Sequence, residues 1–243
     1  MELIELKNIN KNNKKLIGIG STAFCYKLQD GSVLKLFKKN YNTNLILNKK
    51  NFDADLEKFS SISNDTFIGP KDIIINNNQI VGYTYPYIEG KSLYKINSKT
   101  RLLDLFKNYH QIINDIKKVT NDNFYLFDVH GGNIIFDGNI HIIDLDKCWF
   151  YDEGTKELLM ITNSREVFTN MFGSIYHKRE NDNIIFNDKN LNYKYNSVQY
   201  DNIDSINEFL EDILFRCNDV NPTIKTVKDK IKVKKDLNSY FKM

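Results

Sequence analysis

The sequence predicts an α+β protein, because paired β-prone runs joined by tight turns are interspersed with apolar-periodic helices. Hairpins are predicted over 23–37, 73–85 and 133–144, and helices over 51–62 and 98–116. Hairpin connections imply antiparallel strands, which separates this pattern from the parallel sheet of an alternating α/β protein.

The first hairpin joins 23–29 to 32–37 through Asp30-Gly31, a strong turn signal. The helix predicted after it, Asn51 to Ile62, carries its apolar residues on one face. These are Phe52, Leu56, Phe59 and Ile62.

The second hairpin joins 73–75 to 79–85 through three asparagines. Ser98 is the predicted N-cap of a long helix after it, because apolar residues recur at helical spacing from there. The predicted core face comprises Leu102, Leu103, Phe106, Tyr109, Ile113 and Ile116.

The third hairpin joins 133–136 to 140–143 through Asp137-Gly138-Asn139 and brings Asn133 and Asp144 to one end. Asp128 lies five residues before Asn133. Two acids and an amide in this arrangement are what a Mg-nucleotide phosphotransferase needs to hold metal and orient a hydroxyl.

This segment resembles the catalytic and metal-binding loops of the protein kinase-like superfamily. The resemblance implies that Asp128 is the catalytic Asp, which accepts the proton of the acceptor hydroxyl, and that Asn133 and Asp144 bind Mg²⁺. Protein kinases usually place Lys two residues after the catalytic Asp. His130 stands there, which is similar to the D-x-H-x-x-N of aminoglycoside and choline kinases.

Two further departures separate the chain from typical protein kinases. Leu126 and Phe127 replace the His-Arg that commonly precedes the catalytic Asp, and Leu145-Asp146 replaces Phe-Gly. In many protein kinases that Arg helps bind an activation-loop phosphate. Basal activity is therefore not expected to require activation-segment phosphorylation.

A nucleotide-binding half is present upstream, in the order that the resemblance requires. Gly18, Gly20 and Ala23 resemble the kinase Gly-rich loop, whose N–H groups approach phosphates. Lys35 stands at the Lys of V-A-I-K and is implied to bind the α- and β-phosphates. A dinucleotide fingerprint is the alternative, but it needs a helix beginning in the loop, and a hairpin is predicted instead.

Two further nucleotide-site assignments follow from the resemblance. Glu57 on the predicted helix is the candidate ion-pair partner of Lys35, with Asp53 and Asp55 as competitors. The N–H of Tyr87 or Ile88 is the candidate adenine contact, because Pro86 has no backbone donor.

The resemblance implies one bilobal domain over 1–243, with an N-lobe of about 1–86, a hinge of about 86–91 and a C-lobe of about 92–243. Residues 201–214 look like the central helix of a kinase C-lobe. Asn221-Pro222-Thr223 resembles the R-P-T that opens a late helix. Residues 145–200 contain no A-P-E motif and leave the substrate unspecified.

The composition of the chain limits the classes of binding partner and the cellular locations that can be expected. A net charge of +3 is too small to indicate nucleic acid as the principal partner. The three scattered cysteines indicate neither a disulfide framework nor a zinc site. Neither a signal peptide nor a membrane span is predicted. The expected location is the cytoplasm, with leaderless export left open.

The sequence therefore predicts an ATP- and Mg²⁺-dependent kinase, with a protein Ser/Thr hydroxyl preferred as acceptor because of the late motifs. A small-molecule kinase of the aminoglycoside or choline kinase type is one alternative, and a pseudokinase acting as a binding module is another. A metal-dependent hydrolase built on His130, His141, Asp144 and Asp146 is disfavoured, since strand alternation turns His141 away from residues 142 and 144.

Overall fold

The first part of the chain forms a six-stranded sheet. The computed structural model describes residues 2–9, 14–38, 62–150, 154–176 and 184–234. Its sheet order is β1-β5-β6-β4-β3-β2, in which β1 is parallel to β5 and the other neighbours are antiparallel. The strands are β1 (Leu3–Glu5), β2 (Lys15–Ile19), β3 (Ala23–Lys27), β4 (Ser32–Phe37), β5 (Ile73–Asn76) and β6 (Gln79–Pro86).

Both predicted hairpins of this sheet are confirmed. Strands β3 and β4 pair antiparallel across a turn in which Gly31 has φ +80°. Strands β5 and β6 are joined by Asn77 and Asn78, both with positive φ. Asn enters the left-handed region more readily than most side chains, which suits it to this tight turn.

The predicted third hairpin is confirmed as well. It belongs to a small sheet in which β9 (Ile134–Phe136) lies between β7 (Lys91–Ser92) and β10 (Ile140–Ile142). Ile143 donates its N–H to the Asn133 carbonyl at 2.9 Å, so Asp144 follows the residue bonded to Asn133. A two-stranded pair joins β8 (Phe124–Tyr125) to β11 (Trp149–Phe150).

Helices dominate the remainder of the described chain. They are α1 (Leu102–Phe106), α2 (Tyr109–Asn121), α3 (Lys156–Ile175), α4 (Lys189–Ser197), α5 (Ile203–Cys217) and α6 (Ile224–Lys230). The predicted helices over 201–214 and after Thr223 correspond to α5 and α6, whose N-caps are Asn202 and Thr223. Helix α3 was not predicted, and it occupies much of the 145–200 segment.

The prediction of one helix capped by Ser98 is wrong. Helix α1 begins at Leu102 and ends at Phe106, and a separate helix, α2, begins at Tyr109. Ser98 and Thr100 instead accept backbone hydrogen bonds from the first turn of α6, at Lys225 and Ile224. Residues 97–100 form a turn closed by the Thr100 N–H, which donates to the Asn97 carbonyl at 2.8 Å, and this turn pairs with a segment more than a hundred residues away.

Buried apolar side chains form two clusters. The larger lies among the helices and contains stacked and edge-packed rings centred on Phe168, Phe172 and Phe209. The smaller lies against the six-stranded sheet and comprises Val33, Ile68, Ile73, Tyr83 and Tyr85. The fold is therefore α+β, with a sheet-centred and a helix-centred core.

Candidate functional site

Lys35 lies on β4, between two neighbouring strands, and only 3% of its surface is exposed. The strand is held tightly at this point by β6. A Cβ built on Gly82 would overlap the Lys35 carbonyl, so the close approach of the two strands requires glycine. The lysine side chain therefore projects from a fixed backbone into the interior.

Two carboxylates contact this lysine, one at the end of the third hairpin and one on the turn that follows it. Lys35 Nζ forms an ion pair with Asp144 and a second with Asp146, the latter at 2.9 Å. Asp144 has a left-handed backbone (φ +65°), and Asp146 lies on the short 3-10 turn that follows. The fold thus brings together groups that are more than a hundred residues apart in the sequence.

Burial and charge shift the pKa values of this cluster. Burial alone would lower the pKa of Lys35, but Asp144 and Asp146 outweigh it and raise that pKa above its ordinary value. Burial, reinforced by the charge of Asp144, raises the pKa of Asp146 to about 7 although Lys35 opposes this. The two acids therefore favour the charged form of Lys35.

Asp128 and Asn133 lie in one loop before β9. Asp128 has a left-handed backbone (φ +61°), and the Asn133 side-chain amide donates to the Asp128 carbonyl at 3.1 Å. Because the amide nitrogen is used in this way, the other atom of the side chain, Oδ1, is the one suited to a metal. Mg²⁺ commonly uses only one or two protein carboxylates besides phosphate and water, and Asn133 with Asp144 fits that donor chemistry.

His130 is ordered by its neighbours within this loop. Its Nδ1 accepts a 3.0 Å hydrogen bond from the Gly132 N–H, which assigns the proton of the neutral ring to Nε2. Nε2 lies 3.8 Å from Oδ1 of Asp128. The ring lies nearly parallel to Tyr94 at a centroid distance of 6.0 Å. The Nε2 edge of the His130 ring therefore faces the carboxylate of Asp128.

The predicted phosphate loop is a short bend between β2 and β3. Gly20 donates its N–H to the Ala23 carbonyl at 2.9 Å and closes the connection between β2 and β3. Lys38 Nζ donates to the Gly20 carbonyl at 2.7 Å. Gly18 lies on β2, opposite Cys25 on the neighbouring strand β3. Because antiparallel strands flank this bend, the helix required by a dinucleotide fingerprint is absent from these described residues.

The predicted adenine contacts differ in how they are used. The Tyr87 N–H donates to the Gly31 carbonyl at 3.0 Å, so this donor is engaged by the hairpin turn. Ile88 packs with Cys25 and Ile143 against the smaller core. Ile88 is therefore the better placed of the two predicted contacts. Glu57, the predicted partner of Lys35, lies outside the described residues.

The hydrogen bonds of His141 are with residues other than Asp144 and Asp146, as strand alternation predicted. Its Nδ1 lies 2.8 Å from the Asp65 carbonyl and its Nε2 lies 3.2 Å from Asp137. Both ring nitrogens are thus engaged, one by the backbone at Asp65 and the other by the turn of the third hairpin. Within the described ranges, no group of three or more His, Cys, Asp or Glu side chains is arranged to hold a metal. This geometry does not support the hydrolase hypothesis.

Asn163 on α3, which the sequence reasoning missed, fixes the chain leading to Asp128. It is fully buried, and its Oδ1 accepts from the Leu126 N–H at 2.9 Å while its Nδ2 donates to the Phe124 carbonyl at 2.8 Å. The available signal was an amide at the helical spacing of Leu159 and Val167, where an apolar residue is expected.

Cys148 supports the same segment from the other side. Its Sγ accepts from the Phe127 N–H and donates to the Phe127 carbonyl, each at 3.3 Å. Burial raises the pKa of this thiol well above its ordinary value, so it remains protonated and able to donate. The residue immediately before Asp128 is thus bonded at both backbone groups.

Glycines allow this loop to approach α3 and Tyr94 closely. A Cβ on Gly131 would lie 2.6 Å from Cε1 of Tyr94 and closer still to Oγ of Ser174. Larger side chains would therefore displace His130 from Tyr94.

No protein-family model matches the chain, and no curated protein matches its sequence significantly. Of the helices in the described part of the chain, none is long and apolar enough to cross a membrane.

Proposed function

We propose that the chain is an ATP- and Mg²⁺-dependent phosphotransferase with a bilobal protein kinase-like fold. The observation that carries this proposal is the convergence of Lys35, from the sheet, with Asp144, which follows the Asp128–Asn133 loop. A sheet lysine, a metal-binding acid and a loop with Asp and Asn are the polar parts that a kinase site requires. The two separate cores support a bilobal arrangement.

Each side chain has a role in the proposed transfer. Lys35 contacts phosphate oxygens, while Asn133 and Asp144 hold the metal. Bound Mg²⁺ supplies charge neutralisation of the phosphate oxygens. Asp128 orients the acceptor hydroxyl and takes its proton as the oxygen bonds to the γ-phosphorus, while the bond from that phosphorus to the bridging oxygen breaks and ADP leaves with the electron pair. His130, with its polar edge towards Asp128, contacts the acceptor or the γ-phosphate.

The apolar side chains that pack against the smaller core suit a purine base. Cys25, Ile88 and Ile143 come from β3, the segment after β6 and the strand leading to Asp144, and they pack on one cluster. Ligand sites commonly combine such apolar walls with a few polar groups. Adenine would thus lie near Ile88, with its phosphates directed towards Lys35.

The first candidate for the acceptor is a protein Ser or Thr hydroxyl, supported by the late kinase-like motifs on α5 and α6. A small-molecule hydroxyl is the second candidate, and one specific observation favours it. Only residues 147–155 separate Asp146 from α3, which is a short connection for a platform that binds a protein substrate. His130 favours the same alternative.

The test combines binding with transfer. Calorimetric titration of the purified chain with ATP is expected to show binding that requires Mg²⁺. Incubation with γ-labelled ATP, Mg²⁺ and a cell extract, followed by separation of protein-bound from small-molecule phosphate, identifies the acceptor class. Mg²⁺-dependent binding without transfer to either fraction would favour a pseudokinase, and lack of binding would contradict the proposal.

A further inference from the structure

Lys35 contacts two carboxyl groups, Asp144 and Asp146. A buried ammonium group is strongly destabilised without a carboxylate partner, but one carboxylate suffices for its single charge. Lys35 has two, Asp144 and Asp146. In the proposed reaction Asp144 holds the metal, so it can no longer be the dedicated partner of the lysine.

The two acids differ in their access to solvent. The Asp144 side chain is 34% exposed, whereas the Asp146 side chain is 9% exposed. Metal and phosphates enter from solvent and therefore meet Asp144 first. Asp146 is the more buried of the two and contacts Lys35 at 2.9 Å.

The backbone around Asp146 is well anchored. Leu145 before it is buried, and Cys148 closes the turn by donating its N–H to the Leu145 carbonyl at 3.0 Å. Cys148 is in turn bonded to both backbone groups of Phe127. A carboxylate on this turn is therefore held at a defined distance from β4.

We infer that Asp146 is the positioning residue for Lys35, holding the ammonium group against the phosphates once Asp144 has turned to the metal. This inference rests on the proposed function and extends it, because the sequence assigned the partner role to Glu57. It also gives a reason for an acid where protein kinases usually have the Gly of Phe-Gly. Asp146 acts through Lys35 and touches no reacting atom.

A double-mutant cycle tests this role. The dissociation constant for Mg-ATP and the kcat and KM for ATP turnover are measured for Asp146→Asn, Lys35→Met and the double variant. Misplacement of the ammonium group is expected to weaken binding or turnover in Asp146→Asn by on the order of 10²-fold. The double variant is expected to be no worse than Lys35→Met, because both changes remove one interaction. Asp104→Asn, an exposed change on α1, is the matched control.

The outcomes separate this inference from the proposed function. Wild-type Mg-ATP binding with an unaffected Asp146→Asn, or with the loss and the coupling found in Glu57→Gln instead, would overturn the inference alone. Absence of Mg-ATP binding by the wild-type chain would overturn the proposed function and this role together.

Folding provides a second reading of the same cycle. If Asp146→Asn fails to fold, the unfolding temperature of the double variant decides. Recovery on addition of Lys35→Met supports the pairing, because the effects of two changes that remove one shared contact are not additive. No recovery would overturn it.

Discussion

The buried side chain of Asn163 accepts a 2.9 Å hydrogen bond from the Leu126 N–H, two residues before Asp128. The same amide donates to the carbonyl of Phe124. One side chain on α3 therefore ties down both ends of the short segment that leads to the proposed base. The position of Asp128 depends on a helix that contributes no charge to the site.

Asn163→Ala is expected to affect both stability and transfer. The buried Leu126 N–H and Phe124 carbonyl would lose their partner, at a cost of about 1–3 kcal/mol in the free energy of unfolding. Displacement of Asp128 would lower transfer further than this stability loss explains. Urea unfolding and transfer rates measure the two effects. Asn170→Ala, whose amide donates to Glu166 in its own helix, is the control, and equal rates in the two variants would contradict the positioning role.

Asp144→Asn is expected to abolish Mg²⁺-dependent nucleotide binding while the chain remains folded. The substitution keeps the shape of the side chain but removes the charge that attracts the metal. Thermal-shift titration with ATP, with and without Mg²⁺, is the measurement. Asp137→Asn, at the distant hairpin turn, should retain the Mg²⁺-dependent shift. A full shift in Asp144→Asn would mean that another group holds the metal.

Asp115 is expected to make stability depend on pH. Burial would raise its pKa, but hydrogen bonds from Lys118, Thr66 and Gln111 outweigh burial and lower it. A lowered folded-state pKa gives stability that is present above the unfolded pKa, about 4, and is lost as pH falls through the folded value. Urea unfolding between pH 7 and pH 2 measures this loss.

Asp115→Asn should be less stable than wild type by about 1–3 kcal/mol at neutral pH, because bonds to a charged acceptor are replaced by weaker ones. The difference should shrink as the pH falls below about 4. Lys118→Met is the control and should cost less, since Lys118 is largely exposed. A difference between wild type and Asp115→Asn that is constant with pH would contradict this account.

Phe172→Ala is expected to lower the free energy of unfolding by about 3–5 kcal/mol, because it leaves a cavity in the helix-centred core. The ring packs against those of Phe168 and Phe209. Phe215→Ala on α5 is the control, with its ring in solvent, and its expected effect is within about 0.5 kcal/mol. Denaturant unfolding of both variants makes the comparison. Similar losses of unfolding free energy in the two variants would contradict a core centred on Phe172.

Local signals explain what the sequence could predict. The three hairpins follow from turn residues between β-prone runs, and their register follows from short connections. Asn133 and Asp144 are neighbours because one hairpin joins them. The proximity of Asn133 and Asp144 could therefore be predicted without knowledge of tertiary contacts.

Tertiary contacts explain what the sequence could not predict. Ser98 has the chemistry of a helix cap, but its carbonyl serves α6 instead of a helix of its own. Asp146 reaches Lys35 from a turn more than a hundred residues away, a contact for which the sequence carried no signal, while Glu57, the predicted partner, lies outside the described residues. Asn163 and Cys148 act on backbone groups, for which a sequence carries little signal.

Transfer of labelled phosphate by wild type and by Asp128→Asn tests the central claim most directly. The substitution keeps size and hydrogen bonding but removes the proposed base, so transfer should fall by about 10²- to 10⁴-fold. Mg-ATP affinity should change little, because Asp128 is not assigned to the metal or the phosphates. Equal transfer by the two purified proteins, with the same acceptors and equal Mg-ATP affinity, would contradict the proposed catalytic site.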